Sequence, residues 1–466
     1  MILCAKSLGL CLRAVKNPAR RHAPIRQNDR SIVCLPSHWR CLIFRTSTAR
    51  RKRISGCRSM LTLRQALLAL FHQFETLFHY LEHLCRHRSA ARPGRSSFLH
   101  SSVEIQVKET LIRNLWYVAG TSDEFAPGQL VGQTIVGLPL VLWRPEAGGE
   151  VVAFDGRCCH KRMPLAAGKL LADGTLECAY HGLCFDSAGK CVKIPSQPGR
   201  AIPSRAKLRP YPIVEQDGMV WIWMGDDANP ALRPPRIPEL ASPEWEAIRV
   251  QNAEVPTNYL LLIENLLDIS HFYPLHDGNI GDIANSEIPV EFSHEGVQGN
   301  RSVTSVRKAE SYRHPPYLED FFGYELVDRH HSHSMISPAA IRVDLRCAPP
   351  GRLETEDERG YILTHLITPI DERHHRWRVI AACRAGHRWP ADPSVSTVAR
   401  VAEKFPGVIA QDLWALTEQQ KMLDLADTHY LGEMHLRADT GILKAREIVR
   451  DMVAAEAQPA SQAVAA

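Results

Sequence analysis

Two pairs of potential metal ligands lie near the middle of this 466-residue chain, each a cysteine followed closely by a histidine. One residue separates Cys158 from His160, and two residues separate Cys178 from His181. This is the ligand set of a Rieske [2Fe–2S] cluster, in which two thiolates hold one iron and two imidazoles hold the other. The imidazoles raise the reduction potential above that of an all-cysteine cluster. The motif therefore predicts an electron-carrying cluster.

A structural zinc site is the alternative, because it also uses two cysteines and two histidines. Common zinc modules place like ligands together, whereas the order here is Cys, His, Cys, His. Short apolar runs at 151–154 and 176–180, each followed by a glycine, predict two strand-borne loop tips that hold the cluster from opposite sides. Cys159 and Cys184 lie beside the ligands and are expected to pack as small hydrophobic residues.

A second group of polar residues lies about a hundred positions later: Asn265, Asp268, His271 and His276. On one helix, Asp268 and His271 would share a face, and the carboxylate could accept a hydrogen bond from the imidazole. Pro274 predicts that the helix ends near Phe272, so that the chain can turn His276 toward the same metal. Two imidazoles and a carboxylate form the facial triad of non-haem Fe(II) oxygenases. The segment alone also fits surface histidines, but after a Rieske motif it indicates an iron site.

The third iron ligand is expected in residues 398–425, which have the periodicity of an amphipathic helix. Asp412 interrupts an apolar stripe formed by Val408, Ile409, Leu413, Leu416 and Met422. A carboxylate beside an apolar face is costly unless it is paired or binds a metal, which makes Asp412 the candidate ligand. A solvent-facing aspartate at the edge of the stripe fits the spacing equally well.

These segments resemble the Rieske non-haem iron aromatic oxygenases, and in particular the vanillate O-demethylase branch. The resemblance covers about residues 110–455 and includes NLWYVAG, the cluster motif, ENLLDISHFYPLH, QDLWALTEQQ and RADTGILKAREIVRDMVAAE. It implies that Asp268 links the two metal centres, that His271, His276 and Asp412 bind the iron, and that Asn265 lies near it.

The resemblance also implies the reaction. A reductase dependent on NAD(P)H, with a flavin and its own [2Fe–2S] centre, would feed one Rieske cluster, and a mononuclear Fe(II) would activate O2. The expected substrate is a small methoxylated benzoate such as vanillate, which would release formaldehyde. Arg342 or Arg378 could hold its carboxylate, although exposed surface positions are the alternative for both.

Three other functions fit the same motifs. A sister oxygenase could carry out N-demethylation, methyl hydroxylation or ring cis-dihydroxylation, although Leu183 stands where many ring-dihydroxylating relatives have tryptophan. The second alternative is a Rieske electron carrier with a degenerate second domain. The presence of all three candidate iron ligands, His271, His276 and Asp412, argues against it. The third is a module that binds a hydrophobic ligand without iron.

The expected fold class is α+β, with a Rieske antiparallel β-sandwich followed by a catalytic domain whose curved antiparallel sheet packs on a long C-terminal helix. The predicted boundaries are a Rieske domain at 105–225, a proline-rich linker at 226–245, a catalytic domain at 246–455 and a tail at 456–466. The resemblance implies a homotrimer in which the cluster of one subunit serves the iron of the next.

Residues 1–104 differ in composition from the rest of the chain. Residues 1–100 contain 19 Lys and Arg against 3 Asp and Glu, and 6 of the 13 cysteines lie in residues 1–104. A transit peptide and a basic nucleic-acid-binding arm are two interpretations. We favour a third, in which this is upstream sequence included by a misassigned start, because it has no sustained periodicity. The remaining chain is net acidic, so nucleic-acid binding is not expected. No apolar run at 60–84 reaches the length of a membrane span, so no membrane binding is expected either. The expected location is the cytoplasm.

Overall fold

The computed structural model describes residues 111–228, 230–296, 300–425 and 432–457. The basic extension, and with it the three interpretations of its role, lies outside the described residues, as does most of the expected tail. Within the described ranges, no helix is both long enough and apolar enough to cross a membrane.

The N-terminal part is built from three small antiparallel sheets. Their orders are β1-β11-β10, β2-β3-β4-β9 and β5-β6-β7-β8. The strands are β1 (Trp116–Thr121), β2 (Leu130–Ile135), β3 (Leu138–Trp143), β4 (Val152–Asp155), β5 (Lys169–Leu170), β6 (Leu176–Glu177), β7 (Cys184–Phe185), β8 (Cys191–Lys193), β9 (Pro210–Tyr211), β10 (Ile213–Gln216) and β11 (Met219–Trp223). Short 3₁₀ helices occupy Ser122–Glu124 and Leu165–Ala167.

The C-terminal part is one seven-stranded antiparallel sheet with helices against it, in the strand order β12-β18-β17-β16-β15-β14-β13. Its strands are β12 (Trp245–Val255), β13 (Glu291–Ser293), β14 (Val303–Arg313), β15 (Leu326–Ser337), β16 (Ala340–Ala348), β17 (Arg359–Asp371) and β18 (His374–Arg384), with a separate hairpin of β19 (Arg388–Trp389) and β20 (Asp392–Ser396). Its helices are α1 (Pro238–Ala241), α2 (Tyr259–Leu267), α3 (Phe272–His276), α4 (Ile283–Ser286), α5 (Pro316–Phe322), α6 (Thr397–Leu423) and α7 (Thr440–Ala457), with a 3₁₀ turn at Arg437–Asp439. The predicted α+β class is confirmed.

The turn between β2 and β3 joins the two parts. Val136 and Gly137 both have positive φ (44° and 77°), as the two central residues of a tight hairpin turn of the primed type require. Their N–H groups donate to Pro369 O and Ile370 O at the end of β17, each over 2.8 Å. The buried Thr368 hydroxyl donates to Val118 O over 2.9 Å nearby. Strand β17 is therefore fixed to the N-terminal sheets by backbone hydrogen bonds.

Helix α6 presents an apolar stripe to the sheet and to α2. Ser396 is its N-cap, with a side chain that accepts from the Ala399 N–H, as serine commonly does at a helix start. The buried residues recur every three or four positions: Val401, Phe405, Val408, Ile409, Asp412, Leu416 and Gln420. The stripe predicted from the sequence was wrong at Met422, which is 63% exposed, because Met422 follows the buried Gln420 by two residues and so lies on the opposite side of the helix.

Candidate metal centres and the adjoining cavity

The first cluster loop is closed by two backbone hydrogen bonds around Cys158. The Cys158 N–H donates to Met163 O over 2.9 Å, and the Arg162 N–H donates to Cys158 O over 2.8 Å. Arg162 has φ of 57°, a conformation that non-glycine residues adopt rarely. The turn therefore directs the side chains of Cys158 and His160 to one end of the loop.

The second loop repeats the same closure around Cys178. The Cys178 N–H donates to Leu183 O over 2.9 Å, and the Gly182 N–H donates to Cys178 O over 3.0 Å. Gly182, at φ of 68°, occupies the position that Arg162 holds in the first loop. A Cβ at Gly182 would also come within 3.0 Å of Pro195, which gives glycine a second advantage there. Two loops of equal geometry thus support the prediction of paired tips.

The four predicted cluster ligands divide into an inner and an outer pair. Cys158 and Cys178 are buried, whereas His160 and His181 are exposed, with ring centroids 4.5 Å apart. Burial, together with the neighbouring Cys178, raises the pKa of the Cys158 thiol to about 11. Two adjacent thiols in an apolar setting need a metal to hold them as thiolates. The arrangement fits a cluster with its cysteine-held iron inside and its histidine-held iron at the surface.

The segment with the candidate iron ligands differs from the prediction of one helix ending near Phe272. Helix α2 ends at Leu267, with Asp268 as its extended C-cap, and His271 is the N-cap of the next helix. Asp268 accepts the Ser270 N–H over 2.7 Å, a local bond that competes with helix continuation. Pro274 is tolerated because it lies in the first turn of α3, where its missing N–H has no helical partner to lose.

The two histidines and Asp412 nevertheless converge. Asp412 Oδ1 lies 3.1 Å from His276 Nε2 and 3.6 Å from His271 Nε2, and one ligand atom from each residue falls within 4.8 Å of the others. Ligand atoms about 2.1 Å from one ion at right angles would be about 3 Å apart, so the spacing fits a single metal. Asp412 is 7% exposed, which excludes the solvent-facing alternative.

Hydrogen bonds orient the His276 imidazole. Its Nδ1 lies 2.9 Å from Gln411 Oε1, which also accepts from Asn279 Nδ2 over 3.2 Å. Because Gln411 presents an acceptor, His276 Nδ1 is the protonated nitrogen and Nε2 keeps its lone pair toward the metal position. Burial opposes the charged form of His276, but Asp412 and Gln411 outweigh it and raise the pKa. Asn265 Nδ2 donates to Asp412 Oδ1 over 3.1 Å, so Asn265 contacts the predicted ligand set.

Asp268 lies on the other side of His271. Its Oδ2 is 3.7 Å from His271 Nδ1, too far for a direct hydrogen bond, and Nδ1 has no hydrogen-bond partner among the described residues. Burial would raise the pKa of Asp268, but His271 and Ser270 outweigh it and lower the pKa, so the carboxylate stays ionised. Its side chain retains 20% exposure, which leaves room for a further partner.

A cavity of about 410 Å³, including its open mouth, adjoins the three candidate ligands. Its apolar lining residues are Leu266, Phe272, Ile280, Val343, Tyr361, Leu363, Trp377, Phe405, Val408 and Ile409. Its polar lining residues are Asn265, His271, His276, His331, His333, His365 and Asp412. Among these lining residues there is no lysine or arginine.

The expectation that Arg342 or Arg378 faces the substrate is therefore wrong. Successive strand residues point to opposite faces, and Val343 and Trp377 line the cavity, so their neighbours Arg342 and Arg378 point away from it. Arg342 is hydrogen-bonded to Glu239. Arg378 is 4% exposed and donates to Ala119 O over 3.2 Å, which also excludes the surface alternative for it.

His365 supplies the cavity with a donor that the sequence did not single out. The Trp377 indole N–H, which can only donate, contacts His365 Nδ1 over 3.1 Å. Nδ1 is therefore the acceptor, and Nε2 carries the proton. Nε2 is buried without a partner among the described residues, and burial lowers the pKa of His365 to about 3, so the ring is neutral. A lone histidine in an apolar strand gives no sequence signal of this role.

Two family models match the chain. The Rieske [2Fe-2S] domain matches residues 115–212, and the vanillate O-demethylase oxygenase C-terminal domain matches residues 255–455. The first match decides between the two interpretations of the cysteine and histidine pairs, in favour of a [2Fe–2S] cluster over zinc.

Curated proteins with established names are similar over most of their length. The oxygenase component of dicamba O-demethylase from Stenotrophomonas maltophilia is 40% identical over 56% of this chain and 76% of its own. The iron-sulfur subunit of the toluene-4-sulfonate monooxygenase system of Comamonas testosteroni is 35% identical over 57% of this chain and 77% of its own. A vanillate O-demethylase oxygenase subunit from Pseudomonas sp. is 30% identical over 76% of this chain and 98% of its own.

Solved structures of dicamba monooxygenase share the fold. The complex with dicamba is 26% identical, with a TM-score of 0.63 over 74% of this chain and 98% of that chain. A second structure, with non-haem iron and dicamba, is 25% identical, with a TM-score of 0.61 over 75% of this chain and 99% of that chain.

Proposed function

This chain belongs to the Rieske non-haem iron monooxygenases, and we propose that it is the terminal oxygenase component of a system that demethylates an aryl methyl ether. The observation that carries the proposal is the convergence of His271, His276 and Asp412 on one point at the wall of a largely apolar cavity. The cofactors of the enzyme are one Rieske [2Fe–2S] cluster and one mononuclear iron.

The ligand assignments form part of the proposal. Cys158, His160, Cys178 and His181 hold the cluster, and His271, His276 and Asp412 hold the iron, with Asn265 donating to the Asp412 carboxylate. The bound iron supplies dioxygen activation with electrons received from the cluster. The protein's own contribution is to orient the substrate and to exclude water from the reacting C–H bond.

The cavity favours a small aromatic substrate. Its apolar walls suit a ring, and the His365 Nε2–H provides a neutral donor for an acceptor oxygen on the substrate. A carboxylate or phenol oxygen placed there would satisfy a buried group that otherwise lacks a partner. A methoxylated benzoate such as vanillate fits these requirements, and the named activities of the vanillate and dicamba relatives support the same class.

The exposed residues at the two candidate metal sites indicate where a second copy of the chain would bind. His160 and His181 face solvent, and among the described residues the polar partners of Asp268 are Ser270 and His271. We propose that a cluster histidine of a second copy completes this contact within a homotrimer, so that Asp268 links the two centres across the interface. Tyr180, which precedes His181 and is 62% exposed, supports an interface beside the cluster site. An NAD(P)H-dependent flavin and [2Fe–2S] reductase supplies the electrons.

A cytoplasmic location belongs to the same proposal. None of the seven described cysteines forms a disulfide, which suits a reducing compartment.

Methyl hydroxylation is the second candidate reaction, because one relative at 35% identity is named for toluene-4-sulfonate. The electron-carrier and ligand-binding alternatives are disfavoured by the buried Asp412 between two histidines, since a buried carboxylate without metal or charge partner would be costly.

The test of the proposal is product analysis with purified protein, a compatible reductase, NADH and a panel of methoxylated benzoates. Demethylation predicts about one formaldehyde per phenol and per dioxygen when uncoupling is low. A cis-diol or a benzylic alcohol without formaldehyde would reject the demethylase assignment while leaving the oxygenase family intact.

A further inference from the structure

The inner face of β14 and β15 carries four buried basic side chains: Arg307, Arg329, His331 and His333. Arg307 on β14 lies directly opposite His331 on β15 in the sheet register. Each of the four is at most 4% exposed. Buried cations are costly unless they are satisfied by partners, so their contacts indicate what they do. We call these four residues the basic clamp.

Arg307 joins the two ends of the segment that carries both iron-binding histidines. Its Nη1 donates to Ile269 O over 3.1 Å and to Asn285 Oδ1 over 2.7 Å. Ile269 precedes His271 by two residues, and Asn285 lies beyond His276 in α4. One guanidinium nitrogen therefore closes the loop that contains both ligands.

The other three residues form a directional hydrogen-bond chain. His333 Nδ1 is bonded to Leu266 O, an acceptor, so Nδ1 carries the proton and His333 Nε2 accepts. His331 Nε2 then donates to His333 Nε2 over 3.1 Å, and His331 Nδ1 accepts from Arg329 Nη2 over 3.0 Å. Arg329 Nη2 also donates to Ile280 O over 3.2 Å. All four imidazole nitrogens are used, which leaves neither ring free to bind substrate or metal.

The clamp acts on both sides of Asp268. His333 binds the carbonyl of Leu266, two residues before Asp268, and Arg307 binds the carbonyl of Ile269, the residue after it. The Leu266 carbonyl lies in the last turn of α2, where it has no partner within the helix. The gap of 3.7 Å between Asp268 and His271 has no direct hydrogen bond to set it. The backbone around Asp268 must therefore set it, and the clamp fixes that backbone.

We propose that the basic clamp is a positioning device that holds Asp268 at the geometry needed for electron transfer from the cluster to the iron. The inference rests on the proposed role of Asp268 as the link between the centres. Misplacement of a reacting group by about 1 Å can cost about a hundredfold in rate, so loss of one clamp contact should slow transfer strongly. The oxygen chemistry at the iron should be much less affected.

Arg307→Met tests the clamp, with Lys308→Met as the matched control. Lys308 is the next residue on β14, loses the same charge, and lies exposed on the opposite face with Glu291 as its partner. The first measurement is amide hydrogen exchange of residues 264–272 in the holoenzyme, which needs neither turnover nor substrate. We expect exchange about tenfold faster in Arg307→Met than in the control.

The second measurement separates electron transfer from oxygen chemistry. The full reaction is RH + O2 + 2e⁻ + 2H⁺ → ROH + H2O, whereas hydrogen peroxide allows RH + H2O2 → ROH + H2O without electrons from the cluster. With any aromatic that the wild type converts, Arg307→Met should oxidise its reduced cluster about tenfold more slowly in a single turnover. Its peroxide-driven product yield per bound iron should stay within about twofold of the control.

Unchanged amide exchange in Arg307→Met would overturn the proposal, as would an equal loss of cluster oxidation and peroxide-driven product. If Arg307→Met does not fold, His333→Leu removes the bond to Leu266 O without removing a permanent charge, and the amide-exchange outcomes apply to it. Because His333 also lines the cavity, amide exchange alone is compared for this variant. Failure of the formaldehyde assay leaves this test intact, because exchange is independent of the substrate.

Discussion

Asp268 Oδ2 lies 3.7 Å from His271 Nδ1. The opposite nitrogen of the same ring, Nε2, faces Asp412 at 3.6 Å. The imidazole thus stands between a partly exposed carboxylate and the candidate iron position. With Asp268 as the proposed link, electrons would cross this gap from the protein surface to the ring of His271, whose Nε2 faces the candidate metal position.

Asp268→Asn tests this path. The amide keeps the size of the side chain and loses its charge, so metal content and the cluster spectrum should survive while steady-state turnover falls about a hundredfold. Asp277→Asn is the control, because Asp277 is an exposed carboxylate just after α3. Turnover of Asp268→Asn equal to that of the control would remove Asp268 from the path.

The cluster assignment predicts the effect of losing one imidazole. His160→Ala or His181→Ala should abolish the reduced-state EPR signal of the Rieske centre and its visible absorption, because each ring is half of the nitrogen ligation of one iron. Lys161→Ala, which alters the exposed residue beside His160, should leave both spectra unchanged. An unaltered signal in either histidine variant would refute the ligand set.

His365→Leu removes the free donor from the cavity. A lost hydrogen bond to a charged oxygen costs about 1.5–3 kcal/mol, so KM for a carboxylated substrate should rise about tenfold or more. Iron content and the cluster spectrum should not change, since His365 contacts Trp377 and not a predicted ligand. His365→Gln, which retains an N–H donor, should recover part of the loss. Equal KM values in His365→Leu and the wild type would show that the substrate does not bind there.

His375 should make stability sensitive to acid. It is fully buried, its Nδ1–H donates to Thr257 O over 2.9 Å, and burial lowers its pKa to about 4. The unfolded chain takes up this proton below about pH 6.5, whereas the folded chain resists it. His375 should therefore contribute a fall of about 1.4 kcal/mol per pH unit to the free energy of unfolding as the pH drops from about 6.5 toward 4, in addition to the contributions of other buried histidines such as His365.

Urea unfolding of the metal-free protein between about pH 7 and pH 5 measures this slope. His375→Gln should reduce this slope by about 1.4 kcal/mol per pH unit, whereas His374→Gln, at the neighbouring and more exposed position, should not. A slope that is the same in wild type and His375→Gln would contradict the assignment of a neutral buried imidazole.

Features encoded by residues close in sequence could be predicted. The four proposed cluster ligands lie in two short loops, and the burial of Asp412 agrees with its place in an apolar helical stripe. The α+β class followed from the resemblance, and the proximity of His271 to His276 was anticipated although the helix boundary was not. Local bonding of Asp268 to Ser270 ends α2 earlier than the position of Pro274 indicated.

Features that depend on strand register could not be predicted. The alternation along β16 and β18 decides that Val343 and Trp377 face the cavity and that Arg342 and Arg378 do not. The pairing of Arg307 with His331 likewise depends on the register of β14 against β15, and no sequence motif within either strand predicts it. The free Nε2 of His365 depends on its contact with Trp377 on the next strand.

The central claim, that this chain holds a mononuclear iron beside a Rieske cluster, is tested most directly by metal analysis of the wild type and His276→Ala. The wild type should contain about three irons and two acid-labile sulfides per chain. His276→Ala should contain about two irons, with the sulfide content and the Rieske EPR signal unchanged. Two irons in both proteins would contradict the account, because His276 would then bind none.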